Sequence, residues 1–229
     1  TLLASSAASD VYKRQVNEQG RSMIEMLGVL AIVGVLSVGG IAGYSKAMAK
    51  FKTNKVIDQI NTISTNVRTL YSSQRNYGGL NNGTAIRMAL IPSEMYAASN
   101  KSASGSDVEV TNAFGGNLYI HSVNQGTGTD NAYVIAVDAL PKTACVSIAT
   151  TDWGGDSGSG LVAMQIKTLG ADETADSLTD LNADINTSGT SAAAGNVIAV
   201  PGSDTTTPLS IANAEMACGD LNGVVWKFQ

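Results

Sequence analysis

The sequence predicts an α+β chain: one long N-terminal α-helix, apolar along its first half and amphipathic along its second, packed on a small antiparallel β-sheet. Three observations carry this. Residues Met26 to Ser45 form an uninterrupted run of 20 uncharged, mostly apolar residues (MLGVLAIVGVLSVGGIAGYS). Behind it, Val56, Ile60, Ile63, Val67 and Leu70 recur at spacings of 4, 3, 4 and 3, the stripe of a half-buried helix. The remainder holds short strand-like segments separated by Gly/Asn/Thr-rich turns.

Composition narrows the function before any motif is read. The 229 residues include 14 Lys plus Arg and 19 Asp plus Glu, a net charge of −5, with 14% charged residues; soluble domains average about 25%. A single His and two Cys exclude a zinc site of four Cys/His ligands, and no cofactor is expected. The acidic balance argues against a nucleic-acid partner. The charge is also divided unevenly: residues 1–87 hold 10 basic and 4 acidic residues (+6), and residues 88–229 hold 4 basic and 15 acidic (−11).

Taken in order, the chain begins with a segment set apart from the fold. Ser5 to Gln15 (SSAASDVYKRQ) reads like the in-frame translation of a sequencing-library adaptor, so residues 1–15 are given no structural role and residues 16–20 are read as the remnant of a leader whose true start is missing. As a helix, residues 26–45 would extend about 30 Å, the thickness of a bilayer's hydrocarbon core. Lys46, Lys50, Lys52 and Lys55 lie at its far end. By loop charge alone that end would stay inside the cell, against export of the C-terminal residues. The span contains Gly28, Gly34, Gly39, Gly40 and Gly43. Such glycines let neighbouring helices approach closely, but each costs about 1 kcal/mol relative to Ala. The adjacent pair Gly39 and Gly40 is therefore the weak point, where helical hydrogen bonds are expected to open once the helix leaves lipid.

The amphipathic half should continue the same helix from residue 21 to about residue 75, stopping before the breaker Asn76-Tyr77-Gly78-Gly79. Residues 76–229 then read as a loop-rich α+β head. Ile86 to Met95 is expected to form a short helix interrupted near Pro92. Strands are expected at residues 117–123, 132–138, 160–167 and 223–228, and a helix over Pro208 to Cys218. Stretches 97–112 and 182–207, rich in Ser, Thr, Gly and Asp, read as surface loops.

Motifs suggesting chemistry carry little weight. Gly155-Asp156-Ser157-Gly158, with His121 and Asp138 upstream, follows the chain order of a serine-protease triad, but only 36 residues separate His121 from Ser157, too few for a fold that spreads these groups over two barrels. Asp180, Asn182 and Asp184 imitate the start of a calcium loop, with Ile185 where the loop needs Gly and Ser191 where it needs Glu. Asp172, Asp176, Asp180 and Asp184, at i, i+4 spacing, read as a solvated acidic face. His121 reads as an outward-facing polar residue of a strand. No metal site and no catalytic residue is assigned, and the chain is not expected to be an enzyme.

Gly20-Arg21-Ser22-Met23-Ile24-Glu25, running straight into the apolar span, resembles the processing site of type IV pilins and pseudopilins. The resemblance joins a glycine, a carboxylate five residues on and an unbroken membrane helix. It implies that a prepilin peptidase cuts between Gly20 and Arg21, leaving Glu25 as the fifth mature residue; the family's usual first residue is Phe or Met, and here it is Arg21. Physical chemistry supports a special role for Glu25. An acidic residue deep in a bilayer costs about 2.5 to 3.5 kcal/mol, so it needs a partner. The new ammonium on a neighbour's Arg21 would be one, and neutralising it would select one axial register among parallel helices, a use for which buried charges are well attested. The plainer alternative is an acidic residue in a helix's first turn, favoured by the macrodipole.

The same resemblance implies an exported head. That overrides the lysine argument and would oxidise Cys145 and Cys218, which bound a C-terminal region as in type IV pilins; otherwise the two are unrelated buried thiols. It further implies a IVb-like structural subunit of a filament. The partners are then other copies of the chain, the prepilin peptidase, the inner-membrane assembly machinery and, before assembly, the membrane itself. The chain would sit in the bacterial inner membrane with a periplasmic head, and then in an extracellular pilus. The alternatives are a type II secretion pseudopilin or minor pilin and, from another class, a single-pass anchored binding domain.

Overall fold

A computed structural model describes residues 5–106, 108–154, 159–170, 173, 191–193, 195–201 and 206–229, with side chains from Met23 onward except those of Ser191–Ala193. The chain divides into two compact units, Thr1–Ala49 and Lys50–Gln229. In the first, α1 (Ser5–Tyr71) is already helical at the first described residue, ahead of the expected start at residue 21 and through the adaptor-like segment that was expected to stand apart from the fold. Every large apolar side chain from Met23 to Tyr44 is exposed, by 51% at Val33 up to 76% at Val35. This helix is long and apolar enough to cross a membrane.

In the second unit the rest of α1 lies on a sheet. Val56, Ile60, Ile63 and Val67 are at most 1% exposed, as the stripe predicts. Leu70 is not the next residue of the core: it is 43% exposed, and Tyr71 packs there instead. A helical wheel places these two residues about 50° to either side of the stripe's centre, so periodicity cannot choose between them. Aromatic chemistry does. The Tyr71 ring lies 5.3 Å from that of Tyr77, which lies 4.7 Å from Tyr133, which stacks at 5.3 Å on Phe228. The Tyr133 hydroxyl donates to the Ser64 carbonyl, and the Arg68 guanidinium lies 5.3 Å over Phe228. α1 ends at Tyr71, ahead of residue 75, and the chain turns through Gly79 at φ +79°, a conformation glycine adopts without strain.

Burial raises the hydroxyl pKa of Tyr71, Tyr77 and Tyr133, most plainly at the deeply buried Tyr133. The neutral form is therefore favoured in the folded state. Its contribution is full below the unfolded value of about 10 and is lost as pH rises through the higher folded value. Urea midpoints are expected to fall above about pH 10, less steeply in Tyr133→Phe; equal slopes in the two proteins would refute this.

The sheet has six strands among the described residues: β1 (Leu118–Val123), β2 (Ala132–Pro141), β3 (Leu161–Thr168), β4 (Ser191–Ala193), β5 (Asn196–Ala199) and β6 (Leu221–Phe228). Their order is β1-β2-β6-β3-β5-β4, with every pair antiparallel. Four match the expected strands. β4 and β5 correct the expectation that residues 182–207 are surface loop: Val197 and Ala199 are fully buried, and this short apolar alternation sits inside a polar stretch. Residues 97–112 are likewise not all loop, since they contain a short helical turn, Ala98–Ser102, and the buried Val108 and Val110.

Residues 132–137 of β2 and 224–226 of β6 are buried on both faces, which is why they read as continuous apolar runs instead of alternating ones. Tyr133, Ile135, Val137, Val224, Trp226 and Phe228 face the α1 stripe. Ala132, Val134, Ala136 and Val225 belong to a second cluster with Ala163, Leu169 and Val200.

The helices of the second unit differ from expectation in place. α2 is Asn82–Arg87, earlier than Ile86 to Met95, because Asn81 caps it by accepting from the Thr84 amide; only a single turn, Ser93–Met95, remains near Pro92. α3 (Lys142–Ala149) was not foreseen, having no side-chain cap. α4 (Ile211–Ala217) lies within the expected Pro208 to Cys218 and is capped by Ser210.

One edge of the sheet is sealed. The amides of Leu118 and Ser122 in β1 donate to the carbonyls of Val110 and Leu80. Between them, the buried Asn82 carboxamide accepts from Ile120 N at 2.8 Å and donates to Leu118 O and Val108 O, both at 2.9 Å. A side chain takes the place of a missing strand, leaving β1 no row of open groups to template aggregation.

Candidate assembly and processing site

The residues marked out by sequence fall into two groups. Gly20 and Arg21 lie within α1, one turn before the described apolar side chains begin. Glu25 lies further along the same helix, exposed, between Met23, Ile24, Met26 and Leu27, which are 66% to 75% exposed. No ion pair to Glu25 occurs among the described residues. A carboxylate in a wholly apolar collar has two ways to be satisfied: remaining at a water-facing interface, or meeting a cation from another molecule.

Gly28, Gly34, Gly39, Gly40 and Gly43 present an open surface, with nothing within 4 Å of where a side chain would begin. The helix is continuous through Gly39 and Gly40. The hydroxyls of Ser37 and Ser45 donate to the carbonyls of Val33 and Ile41 four residues back, so both serine side chains of this span are satisfied within the helix. Such a surface suits lipid and other apolar helices equally.

The other group is the cysteine pair. Cys145, in α3, and Cys218, just past α4, form a disulfide with Cα atoms 5.9 Å apart, and both are buried, at 0% and 3% exposure. It ties the helices on one side of the sheet to the residue that leads into β6. The unrelated-thiols alternative is thereby removed.

The chemical motifs do not assemble. His121, on β1, lies half-buried opposite Val134. The Asp138 carboxylate accepts from the backbone amide of Asn117 at a bulge in β2, where Ala139 has φ 56° and Asn112 donates to the Asp138 carbonyl at 2.8 Å. Gly116 is required there, since a Cβ would lie 2.4 Å from that carbonyl oxygen. Residues 155–158 lie outside the described residues, as do Asp172, Asp176, Asp180, Asn182, Asp184 and Ile185; Ser191 opens β4. No cluster of three metal-ligating side chains occurs among the described residues.

Sequence reasoning missed Phe51, which is 60% exposed although it is large and apolar. The signal was present: residue 51 lies about 140° around the helix from Val56, well off the buried stripe.

Comparison with known proteins gives a consistent result. The family model for bundlin matches residues 46–200. The major structural subunit of the bundle-forming pilus from an EPEC strain of Escherichia coli is 30% identical over 137 residues, 60% of this chain and 66% of the relative. The toxin coregulated pilin of Vibrio cholerae is 24% identical over 151 residues, 66% of this chain and 65% of that protein. The matches thus span just under two thirds of these relatives' lengths. The crystal structure of TcpA, a type IV pilin from the El Tor biotype of Vibrio cholerae, superposes with a TM-score of 0.50 at 20% identity, covering 78% of this chain and 99% of that one.

Proposed function

The chain belongs to the bundlin family, among the type IVb pilins, and from that premise we propose that it is the structural subunit of a type IV pilus. The family is a structural one. A prepilin peptidase cuts between Gly20 and Arg21, the head folds and closes its disulfide on the periplasmic side, and the inner-membrane assembly machinery lifts the subunit into a helical filament of identical copies. Burial of the apolar surface between Met23 and Tyr44 against neighbouring helices drives assembly, and Glu25 meets the new ammonium of a neighbour's Arg21.

The observation that carries this reading is the apolar surface itself: thirteen exposed large apolar residues from Met23 to Tyr44, four of them a collar around a carboxylate that has no cation among the described residues. A monomer needs lipid to cover such a surface, and a filament covers it with copies of itself. Co-expressed with its peptidase and assembly machinery, the complete protein is expected to begin at Arg21 and to form filaments, and Glu25→Ala to be processed yet lose at least ten-fold in filament yield. An uncut N-terminus with the head held at the membrane would instead establish a single-pass anchored domain.

A further inference from the structure

In the second unit, the cations of α1 that face the rest of the unit are used within the chain. Lys55 Nζ is 3.2 Å from Glu94 Oε1, and Lys52 Nζ lies 5.8 Å over the Phe114 ring. Lys50 and Asp58 are both exposed, and neither has an ion partner among the described residues. They cannot meet each other, because eight residues of helix separate their backbones by about 12 Å. Lys55, three residues from Asp58, is held by Glu94.

Lys50, Asn54, Asp58 and Phe51 fall within about 100° of one another around the helix, facing away from the buried stripe. One face thus carries an unpaired cation, an unpaired anion above it, and an exposed aromatic ring beside them.

We propose that Lys50 of one copy pairs with Asp58 of a second copy of this chain, Phe51 shielding the pair from water, and that this contact fixes the direction of the axial displacement between neighbouring subunits. The inference rests on the filament reading and names the contact within it. The two groups lie about 80° apart around the axis. That suits a heterologous contact, to which the two copies contribute different groups and which generates a helical filament when it does not close into a ring. The displacement has a definite direction. In the Arg21 to Glu25 pair the acid lies four residues C-terminal to its base, and in the Lys50 to Asp58 pair eight. Counted along each stretch separately, the same direction of shift serves both, at about 6 and 12 Å, and the flexible four-carbon stem of lysine covers the difference.

The test uses the complete protein with its peptidase and assembly machinery. Lys50→Asp and Asp58→Lys are each expected to reduce filament yield about ten-fold, and the double exchange to restore it to within about three-fold of the parent. In a chain carrying both Lys50→Cys and Asp58→Cys, the two new thiols are too far apart to bond within one molecule, since a disulfide needs Cα atoms closer than about 7 Å. Because a lysine–aspartate pair also holds its Cα atoms farther apart than that, its filaments are treated with a short bis-maleimide crosslinker, which should give a ladder of covalent oligomers on a denaturing gel, absent from either single variant. Normal filaments from both single reversals, or no ladder from intact double-cysteine filaments, would overturn the contact and leave the pilus reading standing. A parent protein that forms no filaments would overturn both.

Discussion

Removing the disulfide by replacing Cys145 and Cys218 together with alanine is expected to destabilise the unit beginning at Lys50 by about 4 kcal/mol. The bond closes a loop of 73 residues, for which the chain-entropy model gives that figure. Against a total stability of about 5 to 15 kcal/mol, the loss is large. In a domain of this size each kcal/mol corresponds to about 2 to 4 °C, so thermal unfolding of the full chain in detergent should fall by about 10 °C or more. The parent protein under reducing conditions should behave like the variant. A midpoint within a degree or two of the oxidised parent would show that the bond merely decorates a fold already held by the contacts of α3 and α4.

Asn82→Ala is expected to cost about 3 to 5 kcal/mol, more than most single changes in this molecule. Three buried backbone groups, Ile120 N, Leu118 O and Val108 O, bond to this one carboxamide. Each left without a partner costs about 1 to 3 kcal/mol. Asn82→Asp tests the geometry independently, because a carboxylate keeps the bond from Ile120 N but cannot donate to either carbonyl. It should be almost as damaging, and urea unfolding at constant pH would measure both. A loss below about 1 kcal/mol in either variant would mean that water can enter the sealed edge and replace the side chain. Hydrogen exchange at Ile120 should rise in Asn82→Ala more than in Asn82→Asp.

The sequence made the local features legible and hid those that depend on partners far along the chain. The stripe of Val56, Ile60, Ile63 and Val67 reports its burial by spacing alone. The runs Ala132–Val137 in β2 and Val224–Trp226 in β6 announce themselves by unbroken apolar content. β5 escaped because four residues, Asn196–Ala199, give too short an alternation to stand out from surrounding Ser and Thr. α2 was placed too late because the apolar residues Ile86, Leu90 and Ile91 drew attention away from its cap at Asn81. The role of Asn82 was invisible in principle, since its partners lie 26 to 38 residues away. Of the candidate site, Gly20, Arg21 and Glu25 were readable as a contiguous motif. Lys50 and Asp58 gained meaning only once Lys55 was found on Glu94 and Lys52 over Phe114.

The position of β6 has a consequence for how the protein matures. Among the described strands it is the last in chain order, yet it lies in the middle of the sheet, hydrogen-bonded to β2 on one side and to β3 on the other. Until it inserts, the β1-β2 hairpin and the β3-β5-β4 group have no strand joining them. Cys218 stands just before it, so the bond to Cys145 brings β6 to its slot. Whatever the order in which the other strands form, these two groups are therefore joined only when β6 is in place. A chain cut before Leu221 is expected to keep the β1-β2 hairpin and the β3-β5-β4 group but to lack the strand that unites them, so the sheet exists only when its last described segment is present.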